Sequence, residues 1–320
     1  MSQHYLLSTA ARTLSLAKVA RLSDDEAFET FKNIRWAATE GNPVCPFCNC
    51  GAVYSFKTRK IFKCQSCEKQ FSVTSGTIFS NRKLPIRDYL LAIAIFVNGA
   101  KGYPALQLSR DLDISYKSAF VLSHKLREAI AAEQKTGEVL DGIVEVDGAY
   151  FGGHVAPANY KKDRVDRRRA EHQTGKRRVV VVMRQRRGRT LPFVFKSEGQ
   201  SIDTIMNRVD EKATIHADEA THWDALHSKY LTKRINHQEA YSHAGACTNM
   251  AESFFSRLRR AETGTHHHIS GKYLNAYATE MAWREDQRRV SNGEQFLSLV
   301  GASLNRPVSG QWTGYWRRKG

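Results

Sequence analysis

The sequence has no long apolar run, no signal-like leader, no repeat and no acidic excess. Its longest apolar stretch, YLLAIAIFVN, spans only residues 89–98. A bilayer-crossing helix needs roughly 20 residues, so this stretch reads as a buried helix. The first residues, MSQHYLLSTAARTLSLAK, lack the charged-then-apolar layout of a secretion signal. No internal repeat and no long low-complexity tract is visible, which sets aside repeat architectures. The expectation is a soluble, cytoplasmic protein with no membrane partner. Acidic residues are outnumbered: 49 Lys and Arg face 32 Asp and Glu, a net charge of +17 and a pI near 9.7. A soluble chain this basic points to a polyanionic partner, nucleic acid above all. The excess is clustered, with 13 Lys or Arg against 3 Asp or Glu in residues 161–189. Such a tract releases counterions from a phosphate backbone, which makes binding steeply salt-dependent.

What is present begins with a core. The chain is 41% hydrophobic over 320 residues, enough for two or three small domains or one large domain with appendages. Five of the six cysteines lie in one short stretch: Cys45, Cys48, Cys50, Cys64 and Cys67, with Cys247 apart. Cys45-x-x-Cys48 and Cys64-x-x-Cys67 form two knuckles with the spacing of a four-thiolate zinc site. Cys50 competes with Cys48, and Cys48 is preferred because it makes the two knuckles symmetrical. Four thiolates leave no open position, so this Zn2+ is structural. Between the knuckles, Tyr54, Phe56, Ile61 and Phe62 suggest a hairpin that Phe71 and Val73 extend.

The helical signals surround this ribbon. Ser23 and Glu26 form a capping-box pattern for a helix over 23–38. Residues 86–98 follow Pro85 as an apolar helix. Pro104–Leu112 and a second helix from Ser115 flank a tight turn at Asp113–Ile114. Ala119, Leu122, Leu126 and Ile130 share one face of the second helix, leaving Tyr116, Lys117 and Lys125 outside. The pair resembles a helix-turn-helix, whose second helix can enter a major groove; an ordinary helical hairpin is the other reading. Asp113 stands where glycine would ease the turn. Residues 131–142 read as a linker. Beyond it, 143–153, 177–186, 191–196 and 214–218 read as strands and 201–213 as a helix, giving a mixed α/β sheet. Helices return over 248–288, and the last thirty residues fit no clear element.

Within this half three acids stand out by position. Asp147 lies at a strand end before Gly148, Asp218 ends TIHAD, and Glu252 lies early in the amphipathic TNMAESFFSRLRRA. Two strand ends and a facing helix can converge three carboxylates, a costly cluster unless a cation neutralises it. Hard Mg2+ or Mn2+ prefers such oxygens, and two ions can activate a hydroxyl and stabilise a leaving oxygen in phosphodiester chemistry. Glu145 on the same strand face, Glu219 beside Asp218, and Asn249 on the face of Glu252 are rivals. His216, His222, His243 and the run His266–His268 are further candidates, His243 foremost. Trp283 and Arg284 fit packing or DNA contact equally.

VEVDGAYFGG, IHADEA, TNMAESFFSRLRR and SGKYLNAYATEMAWREDQRR occur in that order. Together they resemble the DDE-type transposases of bacterial insertion sequences, in the branch with an N-terminal zinc ribbon and helix-turn-helix. RWAATEGNPVCPFC and GTIFSNRKLPIRDYLLAI fit the front half of that branch, and the resemblance covers about residues 20–290. It implies a ribonuclease-H-like catalytic domain with Asp147 and Asp218 as the first two acids. The third is Glu252, 34 residues beyond Asp218, or Asn249, since this position can be Asn in the branch. Arg259 stands seven residues after Glu252, where Lys is common, and keeps a charge for DNA. The implied layout is a helical segment at 1–42, a ribbon at 43–80, a helix-turn-helix at 81–135, a catalytic domain at 140–290 and a tail at 291–320. The implied activity is cleavage and strand transfer at terminal inverted repeats, in a homo-oligomer acting on double-stranded DNA. Tyr116, Lys117, Lys125, Arg167, Arg168, Arg169, Lys176, Arg177 and Arg259 are the expected DNA contacts. The alternatives are a catalytically inactive zinc-ribbon regulator, or a nuclease of the same fold that does not join strands.

Overall fold

The structure, a computed structural model, describes residues 4–134, 139–153, 155–166, 169–172, 174–235 and 245–318. The chain divides into two compact units, Met1–Glu133 with Gln287–Gly320, and Gln134–Asp286. Among the described residues no helix is long and apolar enough to cross a membrane.

The first unit opens with helices α1 (Leu16–Ala20) and α2 (Asp24–Arg35). The Ser23 hydroxyl accepts from the Glu26 N–H while the Glu26 carboxylate accepts from the Ser23 N–H, the reciprocal cap that the sequence announces. α2 stops short of residue 38 because Trp36 leaves the helical conformation and is buried edge-on against Phe62 and Phe71. Strands β1 (Val53–Phe56), β2 (Ile61–Cys64) and β3 (Gln70–Ser72) form an antiparallel sheet in that order. Phe28 and Phe71 stack on Phe62, with centroids 6.3 and 5.4 Å away, so an aromatic cluster joins α2 to the ribbon.

Helix α3 (Ile86–Asn98) is buried along most of its length, as its apolar sequence requires. Helices α4 (Ala105–Asp111) and α5 (Tyr116–Gln134) flank a turn in which Asp113 has φ of +49°. An L-residue with a side chain pays for that conformation, though Asp tolerates it better than most. Ala119, Leu122, Leu126 and Ile130 are all buried, so the stripe read from the sequence is the packed face. α5 runs to Gln134, into the segment whose polarity suggests a linker.

The second unit holds strands β4 (Ile143–Phe151), β5 (Arg178–Gln185) and β6 (Thr190–Phe195). Helix α6 (Ile202–Arg208) leads to β7 (Thr214–Asp218) and β8 (Leu231–Ile235). The sheet order is β6-β5-β4-β7-β8. β6, β5 and β4 run antiparallel, whereas β7 and β8 are parallel to β4 and to each other. α6 ends at Arg208, not near 213, because Val209 turns extended and pairs with Leu140. β8 and the 3-10 segment Thr221–Ser228 gave no sequence signal; LTKRI is too polar to read as a strand. Helices α7 (Asn249–Arg260) and α8 (Leu274–Asp286) occupy the predicted helical stretch, and a π turn at Ala261–His266 follows α7.

Strand alternation gives the sheet two cores. Val144 and Val146 pack with Val179, Val181, Ile205 and Trp223 on one face. Ala149 and Phe151 pack with Val180, Val182, Phe254 and Leu258 of α7 on the other. Back in the first unit, helix α9 (Asn292–Asn305) carries a second reciprocal cap, Ser291 with Glu294. Its Asn292 accepts from the N–H groups of Thr13 and Leu14 at 2.9 and 2.8 Å, tying the far end of the chain to the start.

One buried charge fixes α7 to the sheet. Glu145, fully buried on β4, accepts from the N–H groups of Met250 (2.8 Å) and Ala251 (3.1 Å) in the first turn of α7. Arg186 donates to its other oxygen at 3.0 Å. A carboxylate here satisfies orphan helix donors and meets the positive end of the helix dipole. We expect Glu145→Ala to destabilise the protein by about 3–5 kcal/mol in urea unfolding, because Arg186 and the helix end lose their partner together. A loss below about 1 kcal/mol would show the junction to be dispensable.

Candidate active site and metal centre

Two neighbouring parallel strands bring the first two acids together. β4 and β7 pair as far as Glu145 opposite His216. Two residues further along each strand stand Asp147 and Asp218, level with one another. β4 itself continues to Phe151 against β5, so Asp147 lies at the end of the β4–β7 ladder but inside its strand, a correction to the strand-end placement. α7 brings Glu252 in its first turn. Glu145, the rival on the same strand face, is spent on the helix junction.

The electrostatics record this convergence. Burial pushes the Asp147 carboxyl up to about 7, and the charges of Asp218, Glu252 and Glu198 push in the same direction. The Gly148 N–H, donating to Asp147 Oδ1 at 2.7 Å, works against them. Asp218 Oδ1 accepts from the Ala220 N–H at 3.2 Å.

Glu198 is the acid that sequence reasoning missed. It opens the 3-10 turn Glu198–Ser201 after β6. A Cβ on Gly148 would stand 2.4 Å from Glu198 Oε1, so glycine beside Asp147 is what admits this side chain. His222 Nε2 lies 3.3 Å from Glu198 Oε2. Burial, then the charge of Asp218, raises the Glu198 pKa against the opposing pull of His222 and Arg177. The available signal was an acid directly after a core strand, paired with a glycine directly after Asp147.

The other expected residues are dispersed. Asn249 opens α7 and is exposed, as is Glu219. Arg259 is exposed, with its guanidinium 5.0 Å from the Phe151 ring, and Arg177 lies 4.3 Å from the Tyr150 ring. Lys176 is exposed; Arg169 is exposed and pairs with Glu171 at 3.5 Å. Arg167, Arg168 and His243 lie outside the described residues. In the first unit Tyr116 and Lys117 are exposed at the start of α5. Lys125, expected outside, is half-buried, and burial lowers its pKa. His216 is buried and accepts from the Cys247 N–H at 3.2 Å. Trp283 is buried, and Arg284 pairs with Glu280 at 2.8 Å, so both pack.

Among the described residues, one donor set is already close enough to hold a metal ion. The sulfurs of Cys45, Cys48, Cys64 and Cys67 all lie within 4.8 Å of one another. Cys50 is not in this group and faces the Ala52 carbonyl at 3.8 Å. N–H groups of Cys67 and Ser66 help hold the Cys64 thiol down at about 6, a thiolate at neutral pH. Four soft donors in a tetrahedral reach suit zinc. The carboxylates on β4, β7 and α7 are hard donors of the kind magnesium or manganese prefers, but among the described residues their oxygens do not form a group within reach of one ion as the four sulfurs do.

Two family models match the chain. Residues 22–70 match the transposase zinc-ribbon domain family, and residues 139–286 match the ISXO2-like transposase domain family. The chain is 22% identical over 296 residues to a Halobacterium salinarum protein described as "Uncharacterized protein in transposable element ISH50". That match covers 88% of this chain and 98% of the relative. A solved structure, "Crystal structure of the Mos1 Strand Transfer Complex", aligns over 64% of this chain and 78% of that one. Its TM-score of 0.19 and 10% identity are too low to bear on the fold.

Two measurements follow. Because the folded Asp147 pKa of about 7 exceeds the ordinary 3.8, the folded state keeps a proton that the unfolded state releases. In cation-free protein this group therefore removes stability as pH rises from about 4 to about 7. Thermal midpoints of Asp147→Asn in chelator should lose that slope and exceed wild type at pH above about 7; parallel profiles would refute the repulsion. For the cysteines, Cys64→Ser should lose bound zinc in elemental analysis and lower the midpoint of the ribbon-bearing unit, whereas Cys50→Ser should keep its zinc.

Proposed function

We propose, from the membership of this chain in the insertion-sequence transposases that join a zinc-ribbon domain to an ISXO2-like transposase domain, that it cuts DNA at the ends of its element and joins those ends to target DNA. The observation that carries this reading is the convergence of Asp147, Asp218 and Glu252 in the second unit, within a chain of net charge +17. On this reading the sheet is ribonuclease-H-like, and the limits at 43–80, 81–135 and 140–290 follow the layout expected from the sequence, whereas the expected tail at 291–320 folds with the first unit.

Each residue then has a task. Asp147, Asp218 and Glu252 hold divalent cations; Asn249 is the alternative to Glu252, from which it stands one helical turn away. Glu198, against Gly148 and paired with His222, adds a fourth carboxylate at the edge of the site. Bound magnesium supplies activation of the attacking hydroxyl and stabilisation of the leaving oxygen. Arg259, two turns beyond Glu252 on α7 and over Phe151, holds a phosphate along the path of the scissile strand. Arg167, Arg168, Arg169, Lys176 and Arg177 belong to the basic tract that retains the duplex electrostatically. In the first unit, α4 and α5 act as a helix-turn-helix. Exposed Tyr116 and Lys117 lie at the N-terminal end of its second helix, the end that reads base edges in such motifs. The ribbon, held by zinc on Cys45, Cys48, Cys64 and Cys67, stabilises this DNA-reading half. Two element ends must be handled together, so the working form is a homo-oligomer.

The test combines purified protein, labelled element-end DNA, target plasmid and magnesium. Joined products are expected from wild type, with Asp147→Ala reduced by about 10³-fold or more. Cutting by wild type without joining would replace the transposase reading with a nuclease. End binding without cutting, with any divalent cation, would overturn the active-site assignment.

A further inference from the structure

The first unit contains a cavity whose aromatic wall none of the roles above uses. It has a volume of about 520 Å³ and lies between the N-terminal half of α5, residues 80–89 and the segment 312–317. Volumes of roughly 300–1,000 Å³ are typical of sites for small organic groups. Its lining combines aromatic rings with positive charge: Tyr89, Trp312, Tyr315 and Trp316 stand with Lys83, Lys117, Lys125 and Arg317, and no Asp or Glu lines it.

The aromatic wall is a built structure. Trp312 is buried and stacks on His124, with centroids 4.2 Å apart and planes at 21°. Its backbone N–H donates to Ser309, whose hydroxyl donates to Glu128 at 2.6 Å. Gly314 then takes a left-handed turn, φ +69°, which carries Tyr315 and Trp316 back over Phe120. Trp316 donates from its indole N–H to the Lys117 carbonyl at 3.3 Å, and the Lys117 ammonium lies 5.6 Å from its ring. Held this way, Trp316 remains 47% exposed, whereas Trp36, Trp223, Trp283 and Trp312 are each below 10%.

We propose that this cavity binds one unstacked nucleotide of a DNA strand, its base against the Trp316 and Tyr315 rings and its phosphate against Lys117 and Lys125. The ligand chemistry follows from the lining. Planar rings offer a sequence-tolerant stacking face, and cations without competing acids favour an anion attached to it. An apolar peptide or lipid tail would bring no anion to the four cations of the lining. DNA is the source because the cavity opens beside Tyr116 and Lys117, and in this the inference rests on the transposase reading above.

The probes are an oligothymidine of about 12 nucleotides, a blunt duplex of the same length, and free thymidine monophosphate. Only one tryptophan is exposed, so quenching of wild-type fluorescence by oligothymidine reports the cavity. Anisotropy of labelled DNA then gives affinities. Trp316→Ala is expected to weaken oligothymidine binding at least about fivefold, with duplex binding changed less than about twofold and Trp316→Phe restoring most of the loss. Lys117→Ala should weaken the same probe, and thermal midpoints like wild type would confirm that both variants fold. Absence of quenching, equal losses on duplex and single strand, or quenching by the free nucleotide alone would each overturn the proposal. Asp147→Ala should quench as wild type does, so failure of the cavity and failure of the strand-transfer reading are separable.

Discussion

The second unit is organised around a carboxylate that does no chemistry. Glu145 is fully buried, yet it meets two helix N–H groups and a guanidinium, so its charge is compensated on every side. A buried ion left without partners costs several kcal/mol, which makes this junction all-or-none. It sets the distance and rotation of α7 relative to β4, and with them the place of Glu252 beside Asp147. Two residues along the same strand, another carboxylate is compensated poorly: Asp147 receives one N–H and the fields of three other acids. That contrast separates a structural acid from a ligand-binding acid more sharply than position in the strand does.

Much of this was legible in the sequence for identifiable reasons. The capping box at Ser23 and Glu26, the apolar period of α5 and the paired cysteine knuckles are local signals, and local signals survive folding. Three features were hidden because they depend on tertiary partners. Glu198 matters only through its approach to Gly148, some fifty residues earlier. Lys125 turned out half-buried because the segment carrying Trp312 and Trp316 lies over its helix. β8 is a strand because β7 supplies its ladder, not because LTKRI has strand character.

The charge pattern of the chain follows one logic at two scales. Globally the excess of Lys and Arg favours a polyanion at long range, where sequence and geometry hardly matter. Locally, some acids are tied into pairs that hold elements together. Asp286 illustrates this use: it accepts from Arg184 at 2.7 Å and from the Thr190 N–H at 3.2 Å, closing the end of α8 on β5 and β6. A reading based on net charge alone would treat Asp286, Glu145 and Asp147 alike, although only the last is held in unrelieved repulsion.

The discontinuity of the first unit has a consequence for biosynthesis. Its α2, ribbon and α3 emerge from the ribosome early, but α9 and the Asn292 contacts to Thr13 and Leu14 come only after the whole sheet unit has been made. Chains fold domain by domain during synthesis, and a contiguous unit can close as soon as it is out. The sheet unit therefore completes first, while the earlier-made helices wait with an apolar face uncovered for about 150 residues of translation. During that interval the nascent chain is most exposed to chaperones and proteases, and a truncation between α8 and α9 leaves a finished sheet unit and an unfinished first unit.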